Sequence, residues 1–198
     1  MLTPSRDNPR LQALLLQLPA GLRQHIERVR EKALELAKLH GVDTVKAEVA
    51  ALAHDLARGM EEDELLRRAR AYGLTLHPVE EVVTFLLHGP VGAEMLQREC
   101  GIEDDEVLEA VRWHTTFNRG MGPVAKVVFL ADKLEPHKVQ VYPLLEGVVS
   151  LAREDMDAAL LTLLQEEIIS MIRLGRLIHP ASLEGRNELL ASQKDSRR

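Results

Sequence analysis

The chain has 198 residues, 45% hydrophobic and 28% charged, enough apolar material for one packed domain and too mixed for a low-complexity segment. Its formal net charge of −6 speaks against a nucleic-acid polymer as partner, and a lone cysteine, Cys100, excludes an intrachain disulfide and a thiolate zinc cluster. Aromatic residues make up 3%, so the core must be built from Leu, Val, Ile and Ala, a mixture that favours helices.

The stretch LQALLLQLPAG at residues 11–21 is short and interrupted by Gln12 and Gln17, and it reads as an N-terminal core helix. No apolar run approaches the roughly 20 residues that cross a bilayer. In HIERVREKALELAKLH, Ile26, Val29, Ala33, Leu36 and Ala37 share one helical face, and Gly41 follows as a stop. DTVKAEVAALAHDLAR opens on Asp43 as an N-cap and ends at Gly59. EEDELLRRARAYG is a short helix with acidic residues in its first turn, and it need not belong to the core. HPVEEVVTFLLHGP starts at Pro78 and is cut by Gly89-Pro90, and PVGAEMLQREC runs on to Gly101.

DDEVLEAVRWHTT is a helix with His114 at its end, NRGMGP is a loop, and VAKVVFLADKLEP is a helix stopped by Pro136. HKVQVYP is irregular. The segment from Leu144 to Gly175 is one or two amphipathic helices with a break near Asp155, and its Leu-rich stripe from Leu160 to Leu177 is core or a dimer face. A last helix begins at Pro180, and the final six or so residues fray. The expected architecture is an all-α bundle of about ten helices.

Eight histidines punctuate this pattern, and four of them stand apart. His25 opens an amphipathic helix, His54 and Asp55 end the most apolar one, His88 follows VVTFLL, His114 follows Trp113, and Asp132 interrupts VVFLAD. Each sits at the end of an apolar run, where an inward-pointing charged group costs several kcal/mol unless compensated. A divalent metal compensates the carboxylates and gives the imidazoles a partner. His40, His77 and His137 read as surface residues, and His179 as structural.

The order His, His-Asp, His, His, Asp in a helical chain resembles the HD-domain metallohydrolases, with His54-Asp55 as the signature dipeptide. From about Leu22 to Leu189, LLHGPVGAEM, VRWHTT, FLADKLEP and LIHPASLEGRN are similar to the HD-domain symmetrical diadenosine tetraphosphate hydrolases. The resemblance implies an N-terminal extension at 1–20, a single HD-domain helical bundle at 21–191 and a tail at 192–198. It implies a cytoplasmic bacterial enzyme that cuts bis(5′-nucleosyl) tetraphosphates into two nucleoside diphosphates, through hydroxide raised at a dinuclear centre and attacking phosphorus.

In the ligand set so implied, His25, His54, Asp55 and Asp132 hold one metal. Asp55, His88 and His114 hold the second, with Asp55 bridging. Imidazole and carboxylate suit iron, manganese, cobalt or zinc, and the resemblance favours iron. Arg58, one turn after the HD pair, is expected to act on phosphate or the leaving group. Thr115, Thr116, Arg119, Lys133 and Lys138 are the expected phosphate contacts, and a homodimer is the default assembly.

Several positions depart from the family's usual pattern. Leu22-Arg23-Gln24 precedes His25, Phe117-Asn118 stands where Gly-Arg is usual, with Arg119 one position later, and Lys138 replaces an arginine. Two other readings compete: a different HD nucleotide phosphohydrolase, such as a nucleotidase or cyclic-nucleotide phosphodiesterase, and a nucleotide-sensing module whose metal site is not catalytic.

Overall fold

The computed structural model describes residues 5–142 and 145–195, and the side chains up to Gln193. Among the described residues there are twelve α-helices, one 3-10 turn and no β-strand.

The centre is formed by α2 (Ala20–His40), α3 (Thr44–Ala53), α7 (Asp105–Trp113) and α8 (Pro123–Leu134), which pack on one another. On α2 the expected face of Ile26, Val29, Ala33, Leu36 and Ala37 is buried. The helix ends at Gly41, whose left-handed φ of 66° an L side chain rarely adopts. Asp43 caps α3 by accepting from the amides of Val45 and Lys46. Nine of the twelve residues of α8 are buried, which its apolar run requires.

The first helix, α1 (Pro9–Gln17), buries Leu11 and Leu15 and is tied down by Asn8, whose side chain also donates to the carbonyl of Cys100. The helix α4 (Glu62–Ala71) stands outside the main core, as its sequence suggests. Its Leu65 and Ala69 join a satellite cluster with Ala57, Leu87, Val91 and Met95. The C-terminal helices are α9 (Pro136–Val141), α10 (Leu145–Glu154), α11 (Met156–Arg173) and α12 (Pro180–Asp195), with the break between α10 and α11 at Asp155.

Several expectations are corrected. The helix carrying His54-Asp55 stops at Ala53, because the His54 imidazole occupies the Ala51 carbonyl that a continuing helix would offer to the Asp55 amide; turns bonded i to i−3 follow. Gly89-Pro90 does not cut a helix. The break comes earlier, between α5 (Pro78–Val82) and the 3-10 turn at Thr84–Leu87, and α6 (His88–Cys100) runs through Pro90, which its first turn tolerates. HKVQVYP is not irregular throughout: Glu135 accepts from the His137 amide and starts α9, while Pro143 lies outside the described residues.

The last helix, α12, continues to Asp195, and residues 196–198 of the expected tail lie outside the described part. His40 and His77 are half-buried rather than surface residues. His40 Nε2 bonds the Ala152 carbonyl at 2.8 Å, and His77 caps α5. In α11 the Leu-rich stripe divides, with Leu160, Leu161, Leu163 and Leu164 buried and Ile172 exposed.

Candidate metal centre

Three of the four singled-out histidines occupy the same local position. His54 is the C-cap of α3, His88 of the 3-10 turn and His114 of α7. Each donates Nδ1–H to the carbonyl three residues back: Ala51 at 2.7 Å, Phe85 at 2.6 Å and Val111 at 2.8 Å. A carbonyl only accepts, so Nδ1 must carry the proton and Nε2 presents a lone pair. The C-termini of α3 and α7, the electronegative ends of their dipoles, therefore converge beside three imidazole acceptors, an environment that favours a cation, while His88 also opens α6.

Asp55, fully buried, lies between two halves of this cluster. Its Oδ2 is 3.4 Å from His25 Nε2 and 3.3 Å from His54 Nε2. Its Oδ1 is 3.3 Å from His88 Nε2 and 3.4 Å from His114 Nε2. Asp132 Oδ1 completes the first half, 3.1 Å from His25 Nε2 and 3.8 Å from His54 Nε2. Two groups could thus hold a metal ion: His25, His54 and Asp55, and Asp55, His88 and His114.

The polar atoms fit such ions. His25 Nε2, His54 Nε2 and Asp55 Oδ1 are buried with no hydrogen-bond partner, a costly state for protein alone. His88 Nε2 and His114 Nε2 face each other at 3.0 Å, and with both Nδ1 atoms protonated their lone pairs repel unless a cation stands between them or one ring is charged. Burial pushes the His114 imidazole down to about 4, which keeps it neutral at pH 7. Burial opposes ionisation of Asp55, yet the surrounding imidazoles outweigh it and hold the carboxyl well below the usual range.

Three expected phosphate-binding cations stand on these carboxylates. Arg58 donates to Asp55 Oδ2 at 2.7 Å, Lys138 to Asp132 Oδ1 at 2.7 Å, and Lys133 to Asp132 Oδ2 at 3.0 Å. Thr115 Oγ1 lies 3.3 Å from His114 Nε2 and 3.4 Å from His88 Nε2. Thr116 is buried next to the cluster, and its carbonyl accepts from Ser182. Arg119 is exposed on the loop between α7 and α8, and no described contact joins its side chain to the cluster. His179 caps α12 by accepting from the Ala181 amide, and Arg186 bonds Asn187 at the surface.

Sequence reasoning missed Arg28 and the full part of Glu135. Glu135 is 1% exposed, accepts from Arg28 Nε at 2.6 Å and lies 3.5 Å from His25 Nδ1, so the pair orients the one histidine without a carbonyl partner. The available signal was the spacing, since Arg28 follows His25 by three residues on one helix face.

A cavity of about 630 Å³ opens beside Thr115 and Lys133, within the size range of small-molecule sites. Its walls are mostly apolar, with Phe85, Leu164, Ile168 and Met171 among them.

Comparison with known proteins agrees with this geometry. The HD domain family model matches residues 22–137. A protein of Halalkalibacterium halodurans named bis(5′-nucleosyl)-tetraphosphatase, symmetrical, is 37% identical over 86% of this chain and 90% of its own length. One of Bacillus subtilis strain 168 with the same name is 32% identical over 79% of this chain and 82% of its own. The crystal structure of a predicted HD superfamily hydrolase involved in NAD metabolism, from Clostridium acetobutylicum, superposes with a TM-score of 0.88 and 28% identity, covering 93% of this chain and 97% of that one. An all-α chain that carries the His54-Asp55 pair at a converging set of helix ends, and that aligns with these relatives over most of its length, belongs to the HD-domain family and within it to the family of the symmetrical bis(5′-nucleosyl)-tetraphosphatases.

Proposed function

We propose that the protein hydrolyses diadenosine tetraphosphate and related dinucleoside polyphosphates symmetrically, releasing two nucleoside diphosphates. The observation that carries this reading is Asp55, each of whose oxygens faces a different pair of histidine Nε2 atoms. His25, His54, Asp55 and Asp132 would hold one metal, and Asp55, His88 and His114 the other. Paired cations supply charge neutralisation to phosphate oxygens and make a water acidic enough to attack phosphorus at neutral pH.

The chain's own groups do the rest. The three carbonyl-bonded imidazoles stay in one tautomer and one orientation. Arg58, Lys133 and Lys138 are within reach of the ligand carboxylates, so a phosphate chain laid over the cluster would draw them from Asp55 and Asp132 and be neutralised by them. Thr115 offers a hydroxyl at the same edge. Arg119 would reach phosphate only by a movement of its loop. The apolar cavity beside Thr115 suits a nucleoside.

Iron is the metal this reading prefers, on the family resemblance; the imidazole and carboxylate donor set suits manganese, cobalt and zinc as well. A cytoplasmic setting belongs to the same reading, supported by the free, buried Cys100. So does a homodimer, supported by Ile169 and Ile172, exposed three residues apart on α11.

The test is product analysis. Iron-loaded protein incubated without oxygen should convert diadenosine tetraphosphate to ADP alone. AMP with ATP would overturn symmetric cleavage, and turnover of nucleoside monophosphates or cyclic dinucleotides in its place would point to another HD phosphohydrolase.

A further inference from the structure

A second cavity, of about 540 Å³, lies on the other side of the wall that bounds the first. Lys133, Glu167 and Ser170 line both cavities and form that wall. The second cavity is also mostly apolar, lined by Val141, Tyr142, Leu145 and Leu163, with Lys138 at its edge. Lys133 and Lys138 both hold Asp132, so both cavities open onto one edge of the metal-ligating cluster. Tyr142 and Val141 are 62% and 53% exposed, an aromatic and an aliphatic side chain left open at the cavity mouth.

A substrate cut at its midpoint has two equal halves, and each must leave the reacting centre in its own direction. We propose that the two cavities are paired nucleoside seats: one nucleoside lies in the cavity beside Phe85, the other in the cavity under Tyr142, and the phosphate chain crosses between them along Lys133 and Lys138. The proposal rests on the hydrolase reading above and adds the seat of the second nucleoside. Tyr142 supplies the ring on which the second base stacks, as base-stacking aromatics do without regard to sequence. Glu167 in the shared wall offers carboxyl oxygens that accept from sugar hydroxyls on either side, while the charged middle of the substrate stays at the lysines.

The experiment counts seats and then uses them. Equilibrium dialysis of metal-loaded wild-type protein against ADP should give two ADP per chain, and Tyr142→Ala should give one at the same concentration. The preference for diadenosine tetraphosphate over adenosine 5′-tetraphosphate, which has one nucleoside, should fall about tenfold in Tyr142→Ala, mainly through KM. Val141→Asp, on the same wall, should act in the same direction, and both sites are exposed enough to leave the fold intact, which a melting curve checks. One ADP per chain in the wild type, or a Tyr142→Ala variant that keeps both the stoichiometry and the preference, overturns the paired seats. Two ADP per chain lost to one in Tyr142→Ala, with no turnover of the dinucleotide, supports the second seat and overturns the hydrolase reading instead.

Discussion

Gly89 approaches Arg112 so closely that a methyl group at its Cα would lie 2.6 Å from the Arg112 carbonyl oxygen and 3.2 Å from that of Val111. This is backbone against backbone, and no side chain can turn away to relieve it. The contact sets α6 against α7, and with it the spacing of His88 from His114, whose Nδ1 bonds the Val111 carbonyl. Gly89→Ala must push the two helices apart. The expected outcome is a loss of about 1–3 kcal/mol in stability, measured by urea unfolding of metal-free protein, together with weakened metal binding at the His88–His114 half.

Phe117 presents a second close approach. It has a left-handed φ of 63°, a conformation that burdens an L residue with roughly 1–2 kcal/mol, at the position where the family resemblance usually has glycine. The ring is buried against Phe129 and under Gly185, where an added methyl would come within 2.4 Å of it. Gly185→Ala should therefore destabilise the protein by about 1–3 kcal/mol, and by clearly less in a Phe117→Ala background. Equal penalties in both backgrounds would separate the two residues.

Arg28 and Glu135 bear on the proposed metal centre through His25. Glu135→Gln, or Arg28→Met, should weaken the half built on His25, His54 and Asp132 by about 10–100-fold in metal affinity, read by competition with a chelator. The His88–His114 half should change far less.

His179 carries a pH dependence whose sign is fixed by its surroundings. Burial pushes its imidazole below the usual 6.5, against the opposing pull of Glu80, and its Nδ1 is in use as the acceptor that caps α12. The unfolded chain therefore takes up the proton first, and stability falls as pH drops below about 6.5. His179→Asn keeps a capping acceptor without the titration. Its stability should decline less between pH 7 and pH 5 than that of the wild type, both measured metal-free by urea unfolding.

Much of the fold was legible because its signals are local. Gly41 and Gly101 mark helix stops through a left-handed φ, Asp43 marks a start, and the polar residues that close apolar runs are the ones the fold brings together. What stayed illegible depends on tertiary contact. Gly89-Pro90 reads as a breaker in the sequence, whereas in the fold the glycine is spent on the approach to Arg112 and the proline on a first turn. The partners of His40 and the hold of Glu135 on His25 join residues 112 and 110 positions apart, and no periodicity announces them. The end of α3 at Ala53 depends on a side chain competing for a carbonyl, which a 3.6-residue pattern does not register.

Whether Asp55 is shared between two ions is read from the metal content, by mass spectrometry, of protein purified without oxygen. The wild type should carry two transition-metal ions per chain, His88→Ala one, and Asp55→Ala should lose metal from both halves. A single ion per chain in the wild type, or two ions retained after Asp55→Ala, would contradict the sharing.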